Sequence, residues 1–298
     1  MNVNFDILIR MKLVVYIGIF LLLVSLTLFL YTWYRLHIKL NLHAQSSKTN
    51  LPTGWVAESK YITNTDGQKI AYWYFPVKSP KAVVILVHGY DNPGGKSQML
   101  IHTKYLSDAG YSTALLDLRS YGESDGNKMT LGVNEWKDVE AVYDKLRAFP
   151  ENQDKKIGYL GLSMGAATAI MTSGETGKGD FVIASVPYAN FNSMFHSQIK
   201  AAGLPPVIFY PFMKIAAFLE FEKNYEQFTP SEVIKKIDVP ILLISAKQDE
   251  ELNSQDAIDL YGMANEPKEL WETDSGHDVF DTRPEEFKQK ILRFLQNQ

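Results

Sequence analysis

The longest hydrophobic run of the chain lies near its N-terminus. From Leu13 to Tyr34 there are 22 residues without a charged side chain. As a helix, this run would span about 33 Å at ~1.5 Å per residue, against about 30 Å for the hydrocarbon core of a bilayer. The aromatic residues at its end, Tyr31, Trp33 and Tyr34, are typical of a membrane–water interface. The pattern predicts a transmembrane helix over residues 13–34, preceded by a short tail over residues 1–12.

A cleaved signal peptide and a buried helix of a soluble domain are the alternatives for this run. A signal peptide usually has a shorter apolar region, of about 7–15 residues, followed by a cleavage site built from small residues. The sequence Leu42-His43-Ala44 is a poor site of that kind. A buried helix of this length would normally keep a polar face, and this run has none. A retained membrane span is therefore the preferred interpretation.

The charges on either side of the run bear on its orientation. Arg10 and Lys12 precede it, whereas Arg35, Lys39 and Lys48 follow it. Because the two flanks are nearly balanced, the positive-inside rule does not decide the orientation. The expectation adopted is a single-span signal anchor that places the following domain outside the cytoplasm.

Residues 35–50 are polar and end in Gln45-Ser46-Ser47-Lys48, which is typical of a short tether. A separate domain over residues 51–298 follows. If the tether interpretation holds, this domain should be soluble and active without the membrane helix.

Short apolar runs alternate with helix-like stretches through the rest of the chain. First, Glu58–Asn64 and Lys69–Phe75 flank Asp66-Gly67, which predicts a hairpin. Further strands are predicted at Ala82–Val87, Ser112–Leu118, Lys156–Gly161, Phe181–Val186, Ile241–Ser245 and Glu269–Glu272. Continuous apolar strands separated by helices predict an α/β fold, with a mostly parallel sheet covered on both faces.

The segment from about residue 191 to 236 interrupts this alternation. It is too long for an ordinary loop and is rich in apolar residues, so it is interpreted as a lid inserted between two strands. Pro205, Pro206 and Pro211 predict a bent loop that leads into a short helix. Phe209 and Phe212 are candidates for roofing an apolar substrate pocket, although packing onto the core is an equally simple explanation for them.

Composition and charge exclude several classes of protein. The chain has 298 residues, of which 46% are hydrophobic and 21% charged, as in ordinary folded proteins. The net charge of −4 argues against a nucleic-acid partner, since such proteins usually carry a basic face. The absence of cysteine excludes disulfides, thiolate nucleophiles and cysteine-ligated zinc.

Gly161-Leu162-Ser163-Met164-Gly165 matches the Gly-x-Ser-x-Gly pattern of a nucleophile elbow. A predicted strand ends just before it, and a helix-like run begins at Ala166. Glycines are needed because the serine backbone turns sharply, and a helix N-terminus behind the serine favours developing negative charge. Ser163 is therefore the candidate nucleophile, and a plain glycine-rich turn is the alternative.

A serine nucleophile needs a base, which is usually a histidine. Of the six histidines, the other five precede the nucleophile or lie within the predicted lid, whereas His277 lies in a loop between the last predicted strand and a C-terminal helix. That position gives the chain order Ser…Asp…His that accompanies a nucleophile elbow of this kind. The acid should follow the strand at Ile241–Ser245, where Asp249 is the first choice. Its rivals are Glu250, Glu251 and Asp256.

An oxyanion hole needs two backbone amides that converge on the developing oxyanion. The Met164 amide, directly after the nucleophile, and the Tyr90 amide, in the loop after the strand at Ala82–Val87, are the candidates. His88 is interpreted as a brace for that loop. The nearby Gly94-Gly95-Lys96-Ser97 is similar to part of a phosphate-binding loop, but Tyr90 stands where that motif needs a glycine, so nucleotide binding is not predicted.

These motifs resemble the α/β-hydrolase superfamily, in its serine-aminopeptidase-like and monoacylglycerol-lipase-like branch. The resemblance covers about residues 55–298, and the motifs fall in family order. It is carried by His88-Gly89-Tyr90, Asp117–Ser124, Gly161–Gly165, Asp249 and Ser275-Gly276-His277. The family usually has Asp-x-Arg-Gly-His-Gly-x-Ser in the second segment, whereas Ser120 and Tyr121 replace the Gly-His pair here. These positions shape a loop, so the departure leaves the candidate triad intact.

The resemblance implies hydrolysis of an ester, thioester or amide without a cofactor, and no metal is expected. The fold hosts many substrates and does not choose among them. A carboxylic ester with a lipid-like acyl group is the favoured substrate. A peptidase or acyltransferase on the same residues is the first alternative, and a non-catalytic membrane-bound binding protein is the second. The sequence leaves the oligomeric state open.

Overall fold

The computed structural model describes residues 3–41, 51, 53, 55–90, 95–221 and 225–298, with the side chains of the first helix described from residue 7 onward. The predicted apolar helix is present as α1, which begins at Val3 and ends at Asn41. Within the described residues, it is the one helix that is long and apolar enough to cross a membrane, and the side chains of its most apolar part are not buried in the protein.

Helix α1 continues into the segment that the sequence predicted to be a tether. Residues 35–41 belong to the last two turns of α1, whereas residues 42–50 lie outside the described residues. Leu36 and Leu40, spaced four apart on one face of α1, are buried in the core of the following domain. The amide of Met129 also donates to the carbonyl of Leu40 across 2.9 Å. Packing against the domain therefore extends the helix through a segment of polar composition, and the helix end is part of the domain.

Within the described residues, eight strands form one sheet in the order β1-β2-β4-β3-β5-β6-β7-β8. Strand β2 is antiparallel to both of its neighbours, and the strands from β4 to β8 in this order are parallel. The mostly parallel sheet predicted from the sequence is thus confirmed. The strands are β1 (Glu58–Thr63), β2 (Lys69–Phe75), β3 (Ala82–Val87), β4 (Ser112–Leu116), β5 (Lys156–Leu162), β6 (Val182–Ser185), β7 (Ile241–Ala246) and β8 (Lys268–Thr273).

Helices cover both faces of the sheet. Strand β3 shows why, because its residues are all buried and alternate between two apolar clusters, with Val83 and Ile85 in one and Val84 and Leu86 in the other. Helices α3, α4 and α8 contribute to the first cluster, and α2 and α10 contribute to the second. The helices after α1 are α2 (Leu100–Asp108), α3 (Trp136–Arg147), α4 (Met164–Thr176), α5 (Phe191–Ala201), α6 (Pro206–Glu220), α7 (Pro230–Val233), α8 (Gln255–Met263), α9 (Val279–Thr282) and α10 (Pro284–Gln296).

The segment between β6 and β7 folds as helices where the sequence predicted a bent loop. Helix α6 is continuous over 15 residues and contains Pro211. Its first residue is Pro206, at a position where no intrahelical bond needs the missing amide. Pro211 removes one internal hydrogen bond. Helix α6 packs against α1 and α5, and these contacts explain why it stays helical through Pro211.

We expect Leu40→Ala to lower the free energy of unfolding by about 2–5 kcal/mol, because truncating a fully buried leucine leaves a cavity in the core. Leu30→Ala is the matched control, since Leu30 lies on the same helix but is 48% exposed. Thermal unfolding of the full-length chain in detergent would measure both variants. Equal melting temperatures for the two would contradict the packing of the α1 end into the domain.

Candidate active site

Ser163 lies at the sharp turn between β5 and α4. Its backbone has a φ of +53° and a ψ of −117°, a conformation that residues with side chains rarely adopt. The turn is held by a hydrogen bond of 2.9 Å from the Ser163 amide to the carbonyl of Ser185 on β6. The strand, turn and helix place the serine side chain at the carboxyl edge of the sheet and at the N-terminus of a helix.

The two glycines of the motif are required by space. A Cβ atom on Gly161 would lie 2.2 Å from the carbonyl oxygen of Gly165. A Cβ atom on Gly165 would lie 2.2 Å from the carbonyl oxygen of Val87, at the end of β3. Neither contact is compatible with a side chain, so the elbow can pack against β3 only with glycine at both positions.

The structure brings the three predicted catalytic side chains into one hydrogen-bonded chain. The Nε2 atom of His277 lies 2.9 Å from the Oγ atom of Ser163. Its Nδ1 atom lies 2.7 Å from the Oδ2 atom of Asp249. This arrangement has the geometry of a nucleophile, a base and an orienting acid.

Asp249 is distinguished from its three rivals by its contacts. Its Oδ1 atom accepts hydrogen bonds from the amides of Glu251 at 2.8 Å and Leu252 at 2.9 Å, which leaves Oδ2 for His277. Glu250 is exposed. Asp256 is buried elsewhere and accepts from the hydroxyl of Ser193 at 2.6 Å. Glu251 lies nearer the other ring nitrogen of His277, with its Oε2 atom 3.9 Å from Nε2, so Asp249 is the one of the four candidates that bonds Nδ1.

The protonation of His277 depends on opposing influences. Burial favours the neutral imidazole and lowers its pKa, but the hydrogen bond and negative charge of Asp249 outweigh burial. Glu251, whose Oε2 atom lies 3.9 Å from Nε2, and Asp278 add to this effect. The pKa of His277 is consequently raised above its ordinary value. Asp249 thus stabilises the imidazolium that forms when His277 accepts a proton as a general base.

The loop after β3 lies directly against the nucleophile. A Cβ atom on Gly89 would be 3.4 Å from the Cβ atom of Ser163, which brings Tyr90 close to the site. His88 braces this loop, since its Nδ1 atom bonds the carbonyl of Gly89 at 2.8 Å and its Nε2 atom accepts from the amide of Leu118 at 3.1 Å. Met164 is the first residue of α4, so its amide belongs to the helix turn whose donors have no partners within the helix.

Lys96, from the segment similar to a phosphate-binding loop, has a structural position. It is buried, pairs with the carboxylate of Asp117, and lies 3.2 Å from Glu123. Gly94 of the same segment lies outside the described residues.

The Asp117–Ser124 loop shows why the family usually has glycine at position 120. Ser120 adopts a φ of +68°, a conformation that glycine adopts without strain. Tyr121 is buried with its ring centroid 4.5 Å from that of His88.

A cavity of about 570 Å³ adjoins Ser163 and Met164. Phe209 of the predicted lid lines it, together with Met213 one turn later, whereas Phe212 is not among the lining residues. Phe209 and Met213 are four residues apart, so they are neighbours on one face of α6. Among the described residues, no group of three His, Asp or Glu side chains is arranged to hold a metal ion.

Helix α1 also contributes to this cavity, which the sequence pattern did not predict. Residues of α1, including Thr32, Leu36 and Lys39, form part of its wall. Their spacing of four and three residues marks one helical face, which was the available signal. Within a hydrophobic run that resembles a membrane span, this spacing does not distinguish a cavity-lining face from one that faces lipid.

Comparison with known proteins finds one family model and several bacterial relatives that are similar to this chain. The family model described as serine aminopeptidase, S33, matches residues 78–217. The chain is 28% identical over 255 residues to the uncharacterized protein YqkD of Bacillus subtilis, covering 82% of this chain and 79% of that protein. It is 22% identical over 253 residues to the uncharacterized protein YfhR of Escherichia coli K12, covering 82% of each.

Solved structures extend the likeness to three dimensions. The Pyrococcus furiosus esterase Pf2001 superposes with a TM-score of 0.68 at 25% identity, covering 84% of this chain and 97% of that one. An esterase from Exiguobacterium antarcticum has the same fold, with a TM-score of 0.59 at 17% identity over 80% of this chain and 100% of its own. These shared folds and the strand–elbow–helix unit around Ser163 show that the chain has the α/β-hydrolase fold, and the matching family model supports a hydrolase of that superfamily, similar to its serine-aminopeptidase-like branch.

Proposed function

We propose that this protein is a membrane-anchored serine esterase that cleaves carboxylic esters with apolar acyl groups through an acyl-enzyme. The observation that carries the proposal is the hydrogen-bonded chain from Ser163 through His277 to Asp249. The exposed, apolar α1 supports the anchor.

Acylation begins when the Oγ atom of Ser163 attacks the ester carbonyl carbon. The Nε2 atom of His277 takes the hydroxyl proton, and Asp249 stabilises the resulting imidazolium through Nδ1. The amides of Met164 and Tyr90 donate to the oxyanion of the tetrahedral intermediate. When the intermediate collapses, the carbon–oxygen bond to the alcohol breaks, and His277 returns its proton to the departing alcohol.

Deacylation repeats these steps with water as the nucleophile. Water gives a proton to His277 as its oxygen attacks the acyl carbon. Collapse of the second tetrahedral intermediate releases the carboxylic acid, and His277 reprotonates the Oγ atom of Ser163. The residues that donate and accept protons are the same in both halves, so no further catalytic group is needed.

The choice of an apolar acyl group rests on the cavity beside Ser163. Met194, Phe195, Phe209 and Met213 contribute apolar surface to it. Pockets of this kind bind apolar parts of ligands and leave a few polar groups to orient the reacting end. A peptidase that uses the same triad is the second candidate, favoured by the description of the matching family model.

Retention of the anchor is supported by the packing of α1. Leu36 and Leu40 belong to the core of the domain and precede Leu42-His43-Ala44, the poor cleavage site. Cleavage there would remove both side chains from the core. The loss of two buried leucines would destabilise the domain, so a retained helix agrees better with this packing than a cleaved signal peptide does.

We expect a fluorophosphonate to modify Ser163, forming an Oγ–phosphorus bond with loss of fluoride, and Ser163→Ala to abolish the reaction. Ester turnover by this variant should fall by about 10⁶-fold, as in other serine hydrolases that lose their nucleophile. Ser107→Ala, on α2, is the control and should label normally. Labelling that persists in Ser163→Ala would refute the assignment, and a wild-type chain that never labels would favour a non-catalytic role.

Asp249→Asn should lower kcat by about 10⁴-fold with little change in folding, because an amide in place of the carboxylate holds the wrong imidazole tautomer. Glu250→Gln, at the adjacent exposed position, should remain close to wild type. Steady-state ester hydrolysis together with thermal unfolding would measure both variants. The opposite ranking would assign the acid to Glu250.

Lengthening the acyl group from acetyl to hexanoyl should raise kcat/KM about fourfold per carbon, since each buried CH₂ contributes about 0.8 kcal/mol. Phe209→Ala should flatten this dependence, because Phe209 lines the cavity. Phe212→Ala is the matched control and should preserve it. A flat profile in the unmodified enzyme, combined with faster cleavage of peptide amides, would favour the peptidase.

A further inference from the structure

One face of α1 forms a wall of the cavity that contains Ser163. The residues of this face, here called the α1 wall, are Tyr31, Thr32, Arg35, Leu36, Ile38 and Lys39. They recur at the spacing of adjacent helical turns, so they present a continuous strip along the helix. The opposite side of the same turns, which includes Tyr34, is exposed.

The C-terminal end of the α1 wall lies at the candidate catalytic machinery. The Nζ atom of Lys39 is 4.5 Å from the ring centroid of Tyr90, whose amide is a proposed oxyanion donor. Lys39 also donates to the side-chain oxygen of Gln198 on α5. Gln198 in turn donates to the carbonyl of Glu251, next to the acid loop, across 3.2 Å. These contacts fix the helix end against the loops that surround Ser163.

The N-terminal end of the α1 wall lies against the start of α6. The ring centroid of Tyr31 is 6.1 Å from that of Phe209. Tyr31 and Lys39 are eight residues apart, which corresponds to about 12 Å along a helix axis. The cavity wall therefore extends from the catalytic loops toward the N-terminal part of α1.

The surface around this N-terminal end is apolar and exposed. Val207, two residues before Phe209 on α6, is 85% exposed, and Ile208 is 46% exposed. Leu26 and Leu30, which directly precede the α1 wall, are also about half exposed. Clustered exposed apolar side chains that continue a membrane span are most stable in contact with lipid. The far end of the cavity wall thus lies where α1 would enter the bilayer.

We propose that the α1 wall is the acyl-binding surface of the enzyme, and that its substrate is a membrane-resident lipid ester whose tail lies along α1 toward the bilayer. The inference rests on the proposed esterase function, and it adds the source and placement of the acyl chain. In this arrangement the ester carbonyl reaches Ser163 while the tail stays between α1 and α6. The tail exchanges one apolar environment for another, so it need not cross water.

Occupancy of the α1 wall can be tested with single cysteines, because the chain contains none of its own. Tyr31→Cys and Arg35→Cys place a thiol on the wall, and Tyr34→Cys places one on the opposite, exposed face as the matched control. Each variant is reconstituted at full length in phosphatidylcholine vesicles. Ser163 is modified with either a hexadecyl or a methyl fluorophosphonate, and the rate of thiol alkylation by N-ethylmaleimide is then measured.

The hexadecyl phosphonate should slow alkylation of the Tyr31→Cys and Arg35→Cys variants about tenfold, since a bound ligand typically has roughly 70–90% of its surface covered by its pocket. The methyl phosphonate should leave both rates unchanged, and neither reagent should affect the Tyr34→Cys variant. Tyr31 and Arg35 are exposed in the unmodified chain, so the thiols that replace them are within reach of N-ethylmaleimide. Equal alkylation rates with both phosphonates would overturn the proposal.

The source of the tail is tested with the hexadecyl phosphonate placed either in the same vesicles as the protein or in separate vesicles. Modification of Ser163 should be faster from the same vesicles, and equal rates would overturn delivery from the bilayer. Failure of the proposed function is distinguishable, because Ser163 would then react with neither phosphonate. If Ser163 reacts and the thiol of the Tyr31→Cys variant stays unprotected, the esterase stands and the α1 wall does not bind the tail.

Discussion

The backbone of Ser163, held at a φ of +53°, is the constraint on which the rest of the site depends. A left-handed residue with a side chain costs free energy, so the surrounding structure must maintain it. Two glycines allow α4 to approach β5 and β3 closely enough to do so. The result is a serine hydroxyl that stands clear of the sheet and faces His277, with the amides of a helix N-terminus behind it.

Buried polar groups also fix the loop after β3, which lies against Ser163. Asp117 accepts from the amides of Lys96 and Glu123 and pairs with the Lys96 ammonium. His88 joins the loop after β3 to the strand-end segment at Leu118. Because buried polar groups are costly when unpaired, this network permits few alternative loop positions. The proposed oxyanion donor at Tyr90 is therefore held by interactions that take no part in the chemistry.

The end of α1 connects the proposed membrane anchor with the site. Leu36 and Leu40 contribute to the domain core, and residues of the α1 wall border the cavity. A helix that only tethered the domain would not need either set of contacts. Since the helix proposed as the anchor also contributes to the core and the cavity, attachment to a membrane would set the orientation of the cavity relative to the lipid surface.

Local patterns in the sequence determined the alternation of strands and helices, the elbow around Ser163 and the choice of His277, because short-range sterics and chain order specify them. Tertiary structure decided the rest. Four carboxylates compete within eight residues from Asp249 to Asp256, and only the loop conformation selects the one that meets the imidazole. Pro211 and the polar residues after Tyr34 favour irregular structure locally, yet α6 and α1 remain helical because their apolar faces pack against each other and the core. Which helical face meets a cavity depends on contacts between distant segments, and the pattern along one segment does not contain them.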